Sequence, residues 1–286
     1  KRLRVAKQFF RSTAFLNTRR ASSERSKDFW QSALGDRVLQ AQYSILMNQV
    51  RRLHGNSVLW VGETPDSAQL LQQCMVRETV YLNTALPDSA LGAPSSVAMP
   101  SLNGQLEGLP FAKHQFNGLV LHHALECSVD PRAGLREAAR VIAPGGRIVI
   151  VGFNPFSLFG LRSGYAKWNS DCLSGRRLVN PLRLFDWLEL LGFILDAKPI
   201  YLDYRVPFVP PEGLQIASAW LQSRSHRWAW MQWIKRFPVG GVLIVSATKR
   251  TLPLTLSRLT RHSRRDLAPA GYSKVIDFRL AAKDKH

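Results

Sequence analysis

The stretch that decides the fold is residues 116–153, FNGLVLHHALECSVDPRAGLREAARVIAPGGRIVIVGF. It contains near-continuous apolar runs at 116–121 and 147–153, which are typical of strands buried on both faces of a parallel sheet. Between them, residues 131–141 have the spacing of an amphipathic helix, whose apolar face comprises Leu135, Ala138, Ala139 and Ile142. The stretch therefore predicts a strand–helix–strand unit of an α/β fold.

The same alternation continues on both sides of this stretch. We predict helices over 28–55, near 68–76 and over 182–191, and strands over 57–61, 79–82, 193–202 and 242–247. The helix at 28–55 should end at Gly55 and bury a stripe formed by Leu39, Tyr43, Leu46, Val50 and Leu53. Alternation over about 200 residues predicts one doubly wound, Rossmann-like α/β domain.

Two segments have weaker patterns. Residues 84–110 are dense in Ala, Ser, Pro, Gly and Leu, which predicts irregular structure with at most one short strand near 96–98. A second segment contains Trp220, Trp228, Trp230 and Trp233, and we expect the group at 228–233 to pack against the sheet rather than to stack on bases.

The basic charge is concentrated at the two ends. The net charge is +19, with 9 Lys/Arg against one acid in residues 1–27 and 10 Lys/Arg against three acids in residues 249–286. We therefore divide the chain into a basic extension at 1–27, a domain at 28–250 and a basic tail at 251–286. Such ends either bind nucleic acid or an anionic membrane, or are disordered and solvated, and both alternatives stay open. The Arg- and Ser-rich extension also resembles a targeting peptide in composition, but it lacks a long apolar core.

Composition also argues against several classes of protein. No stretch reaches the roughly 18 uninterrupted apolar residues of a membrane span. The three cysteines, Cys74, Cys127 and Cys172, lie far apart without a CxxC pair, so we expect no metal site. Isolated cysteines of this kind are typical of small buried side chains in a reducing compartment, which favours a cytoplasmic protein.

Several short motifs carry a family resemblance. Residues 109–112 (LPFA), 116–126 and 130–131 (DP), followed by the helix at 135–142 and by 144–146 (PGG), resemble the type 11 domain of class I S-adenosylmethionine-dependent methyltransferases. Residues 154–157 (NPFS), 161–162 and 251–255 resemble a small bacterial subgroup of methyltransferase-like proteins. The resemblance implies a seven-stranded, three-layer α/β/α sheet with an antiparallel last strand, and S-adenosylmethionine above the ends of its first four strands.

The glycine-rich loop that this family has after its first strand falls on residues 61–66. Its first glycine is Gly62, and glycine lets a backbone approach a ligand closely. The later two glycines are replaced by Thr64 and Asp66, and the acid expected before the loop is Trp60. Glu63 lies within the loop, so the resemblance implies that Gly62 and Glu63 contact the cofactor.

The resemblance also places the rest of the cofactor site. Asn83 stands where the family has an acid that accepts both ribose hydroxyls, and an amide oxygen can accept one such bond. Gln105 stands where an acid usually lies beside the adenine, with Leu106 next to it. His122 and His123 match positions that flank the methionine part of the cofactor, and Leu125 lines the pocket there.

The two histidines are the candidate catalytic residues. His122 and His123 follow the predicted strand at 116–121, and an imidazole can accept a proton near neutral pH. His122 is equally consistent with a buried, hydrogen-bonded histidine that has no catalytic part. Methyl transfer depends mainly on alignment, so a general base is not required. The tripeptide at 154–156 follows the fifth strand, and we predict a tight exit turn there.

Two functions are consistent with these patterns. The first is an S-adenosylmethionine-dependent methyltransferase that acts on an unidentified acceptor. The second is an inactive binding module with a methyltransferase fold, which contacts nucleic acid or an anionic membrane through its basic ends. The sequence indicates neither the acceptor nor the oligomeric state.

Overall fold

The structure, a computed structural model, describes residues 24–85, 99–169, 176–202 and 239–251. The predicted strand at 96–98, the tryptophan-rich segment and nearly all of the two basic ends lie outside these residues. Residues 1–250 and 251–286 form two separate units. All of the described helices and strands belong to the unit at 1–250.

The helices and strands alternate along most of the described chain. The helices are α1 (24–31), α2 (Ala33–Val50), α3 (Pro65–Ala68), α4 (Ala124–Cys127), α5 (Pro131–Val141), α6 (Leu158–Asn169) and α7 (Pro181–Leu190), with a 3-10 helix at Gln69–Gln73. The strands are β1 (His54–Gly62), β2 (Met75–Asn83), β3 (Ser101–Asn103), β4 (Phe116–His122), β5 (Ile142–Phe153), β6 (Phe193–Leu195), β7 (Ile200–Leu202) and β8 (Val242–Lys249).

The strands form one mixed sheet. Their order is β3-β2-β1-β4-β5-β8-β6, and β7 also pairs with β8. The neighbouring strands β3, β2, β1, β4 and β5 run parallel to one another. The strand β8 runs antiparallel to β5, β6 and β7. This order confirms the predicted Rossmann-like α/β fold, in which the last strand is antiparallel and lies inside the sheet.

The predicted strand at 193–202 is divided. Phe193 pairs with Lys249 at one end of β8, and Ile200 pairs with Ile244 further along it. The sheet therefore has eight strands instead of the predicted seven, because two short pieces, β6 and β7, replace one continuous strand.

Helices cover both faces of the sheet. Alternate strand residues point to opposite faces, so Val58, Trp60 and Val120 join a core with α1 and α2, whereas Leu59 and Leu119 join a core with α5 and α7. The three-layer arrangement leaves the ends of the parallel strands as the edge at which a ligand can bind.

The predicted helix at 28–55 is wrong at both ends. Ser32 separates α1 from α2: its hydroxyl donates to the carbonyl of Phe29 and accepts from the amide of Gly35 as the N-cap of α2. The helix α2 ends at Val50, and Gly55 instead lies within β1 with a φ of 118°. The helix α1 is already helical at residue 24, four residues before the start of the predicted helix.

The predicted stripe of α2 is also partly wrong. Tyr43 is 52% exposed, whereas Gln42 is 1% exposed and lies on the buried face between Val38 and Leu46. A glutamine therefore occupies a position that the helical period assigns to the core.

Other differences are smaller. The predicted helix near 68–76 is α3 plus the 3-10 helix, and the strand β2 already begins at Met75. The structure adds β3 and α6, which the sequence patterns did not predict. Residues 154–157 form the predicted turn, in which the Asn154 side-chain oxygen accepts from the amide of Phe156 at 3.1 Å.

Candidate functional site

The register of the parallel strands brings most predicted site residues to one edge. Gly62 at the end of β1 pairs with Asn83 on one side and with His122 on the other. Asn83 in turn pairs with Asn103 at the end of β3. The ends of β1, β2, β3 and β4 thus form a continuous edge, with His122 and His123 at its β4 end.

His122 is fully buried and has a partner at each ring nitrogen. Its Nδ1 lies 2.9 Å from Thr64 Oγ1, and its Nε2 lies 2.8 Å from Gln42 Nε2. An amide nitrogen only donates, so Nε2 accepts and the ring proton resides on Nδ1, directed at Thr64. Burial, and then the charges of His123 and Arg176, hold the pKa of His122 well below its usual value. His122 is therefore a neutral imidazole in this structure.

His123 is also fully buried and directly follows β4. Its backbone adopts the left-handed region with a φ of 52°, which turns the chain into α4. Its Nε2 lies 3.2 Å from Gln42 Oε1, and its Nδ1 lies 3.0 Å from Glu126 Oε1. Gln42 thus joins the two histidines through the two atoms of one amide group.

Glu126 is a buried carboxylate with three partners. It accepts from His123 Nδ1, from the Phe153 amide and from Arg176 Nη1, the last at 3.2 Å. Burial alone would raise the pKa of Glu126, but the interactions with His123 and Arg176 outweigh burial and lower it. Glu126 is therefore ionised and fixes one edge of the Arg176 guanidinium.

Arg176 connects the glycine loop to α1. Its Nη2 donates to Ser26 Oγ at 2.5 Å and lies 3.6 Å from Glu63 Oε2. The Ser26 hydroxyl also donates to Glu63 Oε2. Since the side chains of Arg176 and Glu63 are 3% and 7% exposed, this charged group is shielded from solvent.

Aromatic rings enclose the guanidinium. The Arg176 Cζ lies 5.2 Å from the ring centres of Phe29 and Trp30 and 5.6 Å from that of Phe153. The Trp30 ring also lies 4.8 Å from the His123 ring. The helix α1 therefore packs directly over the buried polar group at the ends of β4 and β5.

Gly62 is required for packing between strands. A Cβ at this position would lie 2.7 Å from the carbonyl oxygen of His122 and 3.3 Å from its Cβ. The missing side chain thus lets β1 approach the end of β4, in addition to any role toward a ligand. Thr64 has φ −107° and ψ 97°, an extended conformation that any residue adopts, so the loop does not need a glycine there.

The residues predicted for the ribose and adenine differ in their surroundings. Asn83 is half-buried, and its side-chain oxygen accepts from the amide of Ala85 at 3.0 Å. Gln105 is exposed, two residues beyond β3. Leu106 and Leu125 are both buried in the core beside α5, and the Leu106 side chain fills the space that a Cβ on Gly134 would occupy. The structure thus brings Asn83 and Gln105 to the edge and turns Leu106 toward the core.

A groove of about 510 Å³ lies between α2 and the segment after β1. Leu39, Tyr43, Leu46 and Leu70 line it together with several glutamines, among them Gln42. Gln42 therefore connects this groove to the histidine pair.

The cysteines are half-buried rather than fully buried where they are described. The Cys127 thiol lies 3.5 Å from the carbonyl oxygen of His123, and burial raises its pKa well above the usual value. Burial likewise raises the pKa of Cys74 to about 11. Both are neutral thiols at physiological pH, and Cys172 lies outside the described residues.

Sequence patterns missed three members of this site: Gln42, Ser26 and Arg176. Gln42 could have been found, because it is a polar residue at the core position of the series 34, 38, 42, 46 and 50. The sequence does not distinguish Arg176 from the exposed Arg177 beside it. Its role emerges only when α1, the glycine loop and α4 come together.

Comparisons with known proteins agree with this geometry. A methyltransferase domain family matches residues 69–150. The chain is 30% identical over 208 residues to the uncharacterised protein YafS of Escherichia coli (strain K12), covering 72% of this chain and 73% of that protein. It is also 41% identical over 64 residues to a demethylmenaquinone methyltransferase of Mycolicibacterium vanbaalenii, but these span only 22% of this chain and 28% of that enzyme.

Solved structures show the same fold. A Thermotoga maritima S-adenosylmethionine-dependent methyltransferase, described as a possible histamine N-methyltransferase, superimposes with a TM-score of 0.52 at 14% identity, covering 78% of this chain and 94% of that one. A chain from the complex of the Haloferax volcanii activator Trm112 with a methyltransferase also gives 0.52 at 14% identity, covering 81% and 96%. The chain belongs to the class I S-adenosylmethionine-dependent methyltransferases.

Among the described residues, no group of three or more His, Cys, Asp or Glu side chains is placed to hold a metal ion. No helix within the described ranges is both long and apolar enough to cross a membrane.

The residues present fit the amino-acid end of the family's cofactor. Within the described residues, three buried donors around the histidine pair have no hydrogen-bond acceptor: Trp30 Nε1, Trp60 Nε1 and Arg176 Nε. Buried donors of this kind usually indicate a missing ligand or water. At the ribose end the fit is looser, because Asn83 offers an amide where the family has a carboxylate.

Proposed function

We propose that this protein transfers a methyl group from S-adenosylmethionine to an acceptor at the edge formed by β1, β2 and β4. The observation that carries the proposal is the register of Gly62 with both Asn83 and His122 at that edge of a methyltransferase sheet. The cofactor, when bound, supplies an electrophilic methyl group on a sulfonium. The protein has to bind and orient the two reactants, which provides most of the acceleration in such reactions.

Several residues would hold the cofactor. We propose that Gly62 and Glu63 contact its methionine part, together with the segment from His122 to Leu125. Asn83 would bind the ribose through one hydrogen bond, and Gln105, beside Leu106, would lie toward the adenine. Leu106 would contribute by packing, since its side chain belongs to the core.

The histidines remain candidate catalytic residues within this proposal. Both are fully buried, and Gln42 occupies one nitrogen of each ring. A general-base role for His122 therefore requires Gln42 to release Nε2, the ring nitrogen that accepts, when the methyl acceptor binds. Both ring nitrogens of His123 face oxygen atoms, of Gln42 and Glu126, so a general-base role for His123 requires one of these oxygens to move away. Without such release, the pair positions the loop through Thr64 and leaves catalysis to alignment.

A substitution at Asn83 tests the proposal. Asn83→Asp restores the carboxylate that the family uses for the ribose, and a carboxylate accepts both hydroxyls in charge-assisted bonds. We expect the affinity for S-adenosylhomocysteine, measured by calorimetry, to rise about tenfold. Asn103→Asp, on the neighbouring strand, is the matched control and should leave it unchanged. Equal effects of both substitutions, or none, would contradict the proposed ribose site.

The second candidate function is an inactive binding module. The observation that favours it is the set of internal partners that the loop residues have already acquired, namely Thr64 with His122 and Glu63 with Ser26. In this alternative, the basic ends bind nucleic acid or an anionic membrane. A chain that binds RNA or anionic vesicles but gives no heat with millimolar S-adenosylhomocysteine would establish it.

A further inference from the structure

We infer that Arg176 and Glu63 form the subsite for a zwitterionic amino-acid group, in which Arg176 binds the carboxylate and Glu63 binds the ammonium. The inference rests on the proposed function, since the methionine end of S-adenosylmethionine is such a group. Glu63 lies in the loop that the resemblance assigns to the cofactor, whereas Arg176 belongs to no motif named above.

Arg176 could donate more hydrogen bonds than it does among the described residues. The guanidinium is 3% exposed, and its Nε has no hydrogen-bond acceptor among the described residues. A guanidinium presents its donors in a planar fork that matches a carboxylate in two parallel bonds. An unpaired Nε in a buried guanidinium is the feature that an incoming carboxylate would satisfy.

Arg176 pairs with two carboxylates, Glu126 and Glu63, and the two pairs differ in their contacts. Glu126 accepts from Arg176 Nη1 at 3.2 Å and is also held by His123 and the Phe153 amide. Glu63 lies 3.6 Å from Arg176 Nη2, beyond hydrogen-bonding distance. Glu126 is therefore bound directly to Arg176, whereas Glu63 is hydrogen-bonded to it only through the Ser26 hydroxyl and is the partner that a ligand can replace.

Glu63 and Arg176 lie at the edge of the sheet where the cofactor is proposed to bind. Glu63 directly follows Gly62 at the end of β1, and a Cβ on Gly62 would lie 3.4 Å from the unpaired Nε1 of Trp60. The Trp30 ring, whose Nε1 is also unpaired, lies 5.2 Å from the Arg176 Cζ. One unpaired donor thus lies beside Gly62 and another in the ring beside Arg176, at the edge where the sheet binds ligands.

When the ligand binds, the ion pair between Arg176 and Glu63 is replaced by two ion pairs, one from each residue to the ligand. The carboxylate of the ligand takes the place of Glu63 and Ser26 at Arg176, and the released Glu63 accepts from the ammonium. Charge is conserved, because a neutral zwitterion enters and each of its charged groups meets one opposite charge. Ser26 belongs to α1, so the exchange also loosens the contact that holds α1 over the site.

The test compares two ligands on the same protein. S-adenosylhomocysteine carries the amino-acid group, and 5′-methylthioadenosine has the same nucleoside and thioether without it. On the full chain, calorimetry should show S-adenosylhomocysteine binding at least about 30-fold more tightly, as expected for a buried charge pair. Arg176→Lys should reduce that preference at least about tenfold, since an ammonium cannot reproduce the fork, while leaving the affinity for 5′-methylthioadenosine unchanged. Arg177→Lys is the matched control, because Arg177 is exposed.

Glu63→Gln provides an independent variant. It should weaken S-adenosylhomocysteine and its decarboxylated analogue, which retains the amine, by similar factors of about tenfold. Arg176→Lys should leave the decarboxylated analogue unaffected. Loss of affinity for every ligand in parallel would mean that the residues are structural, and would overturn the inference while leaving the proposed function intact. A wild-type chain that binds none of these ligands would overturn both.

Discussion

Thr64 stands where the methyltransferase family has a glycine, yet its backbone is extended and does not need one. Its hydroxyl lies 2.9 Å from His122 Nδ1 in a buried contact. The neighbouring Glu63 likewise accepts from the Ser26 hydroxyl. The departure at Thr64 is therefore used: its hydroxyl provides a polar contact that fixes the loop to the end of β4.

Removing the Thr64 hydroxyl should destabilise the domain. Thr64→Val keeps the shape but leaves His122 Nδ1 without an acceptor, which costs about 1–3 kcal/mol. Urea unfolding of the full chain measures this difference, and Thr64→Ser, which retains the hydroxyl, should be close to wild type. A Thr64→Val variant as stable as wild type would show that the contact is not formed.

His122 should make stability depend on pH in a defined direction. Its folded-state pKa lies below its unfolded value, so the unfolded chain binds the proton more tightly. The full free energy of unfolding is therefore retained above the unfolded pKa of about 6.5. It falls as the pH drops below that value, by up to about 1.4 kcal/mol per pH unit.

The measurement is the free energy of unfolding at pH values between 7.5 and about 5. His122→Asn should reduce the loss at acid pH relative to wild type, whereas the control His54→Asn, at an exposed position, should not. A loss at low pH that is identical in wild type and His122→Asn would refute the assignment of a neutral buried imidazole.

At the scale of the element, α5 shows why some boundaries were predictable. Asp130 accepts from the amides of Arg132 and Ala133 as the N-cap, and Pro131 occupies the first turn. These local signals and the apolar face coincide, so the predicted helix at 131–141 is confirmed. Ser32 gave no comparable signal, because no proline follows it in the first turn of α2.

Loss of the α5 cap should have a local, moderate cost. Asp130→Ala should lower the free energy of unfolding by about 1 kcal/mol, since two amides at the start of the helix lose their acceptor. Asp130→Asn is the control and should retain most of the stability, because the amide oxygen can still accept. An unchanged Asp130→Ala variant in thermal or urea unfolding would argue against the cap.

At the scale of the whole molecule, the sheet order was predictable because apolar strands, helices and the LPFA and PGG motifs all indicated one family topology. The site was predictable only in part. The residues that follow the strands, Gly62, Asn83 and His122, meet at one edge because parallel strands end together. The contacts of Arg176 with Ser26 and Glu126 join segments far apart in sequence, and no local pattern encodes them.

The basic ends give a prediction for the whole chain. Removing residues 1–23 and 252–286 takes away most of the concentrated positive charge, so any binding to RNA or anionic vesicles should weaken, as should its dependence on salt. Binding assays at two salt concentrations measure this, with the affinity for S-adenosylhomocysteine as the control. Binding that is unchanged after both deletions would assign the interaction to the domain itself.

The loop after β1 has two glycines fewer than the family pattern, and we propose that it still forms a cofactor site. Titration calorimetry of the full chain with S-adenosylhomocysteine tests it most directly. We expect one site per chain, with a dissociation constant for S-adenosylhomocysteine on the order of micromolar. No heat at millimolar ligand, from a chain that unfolds cooperatively, would contradict it.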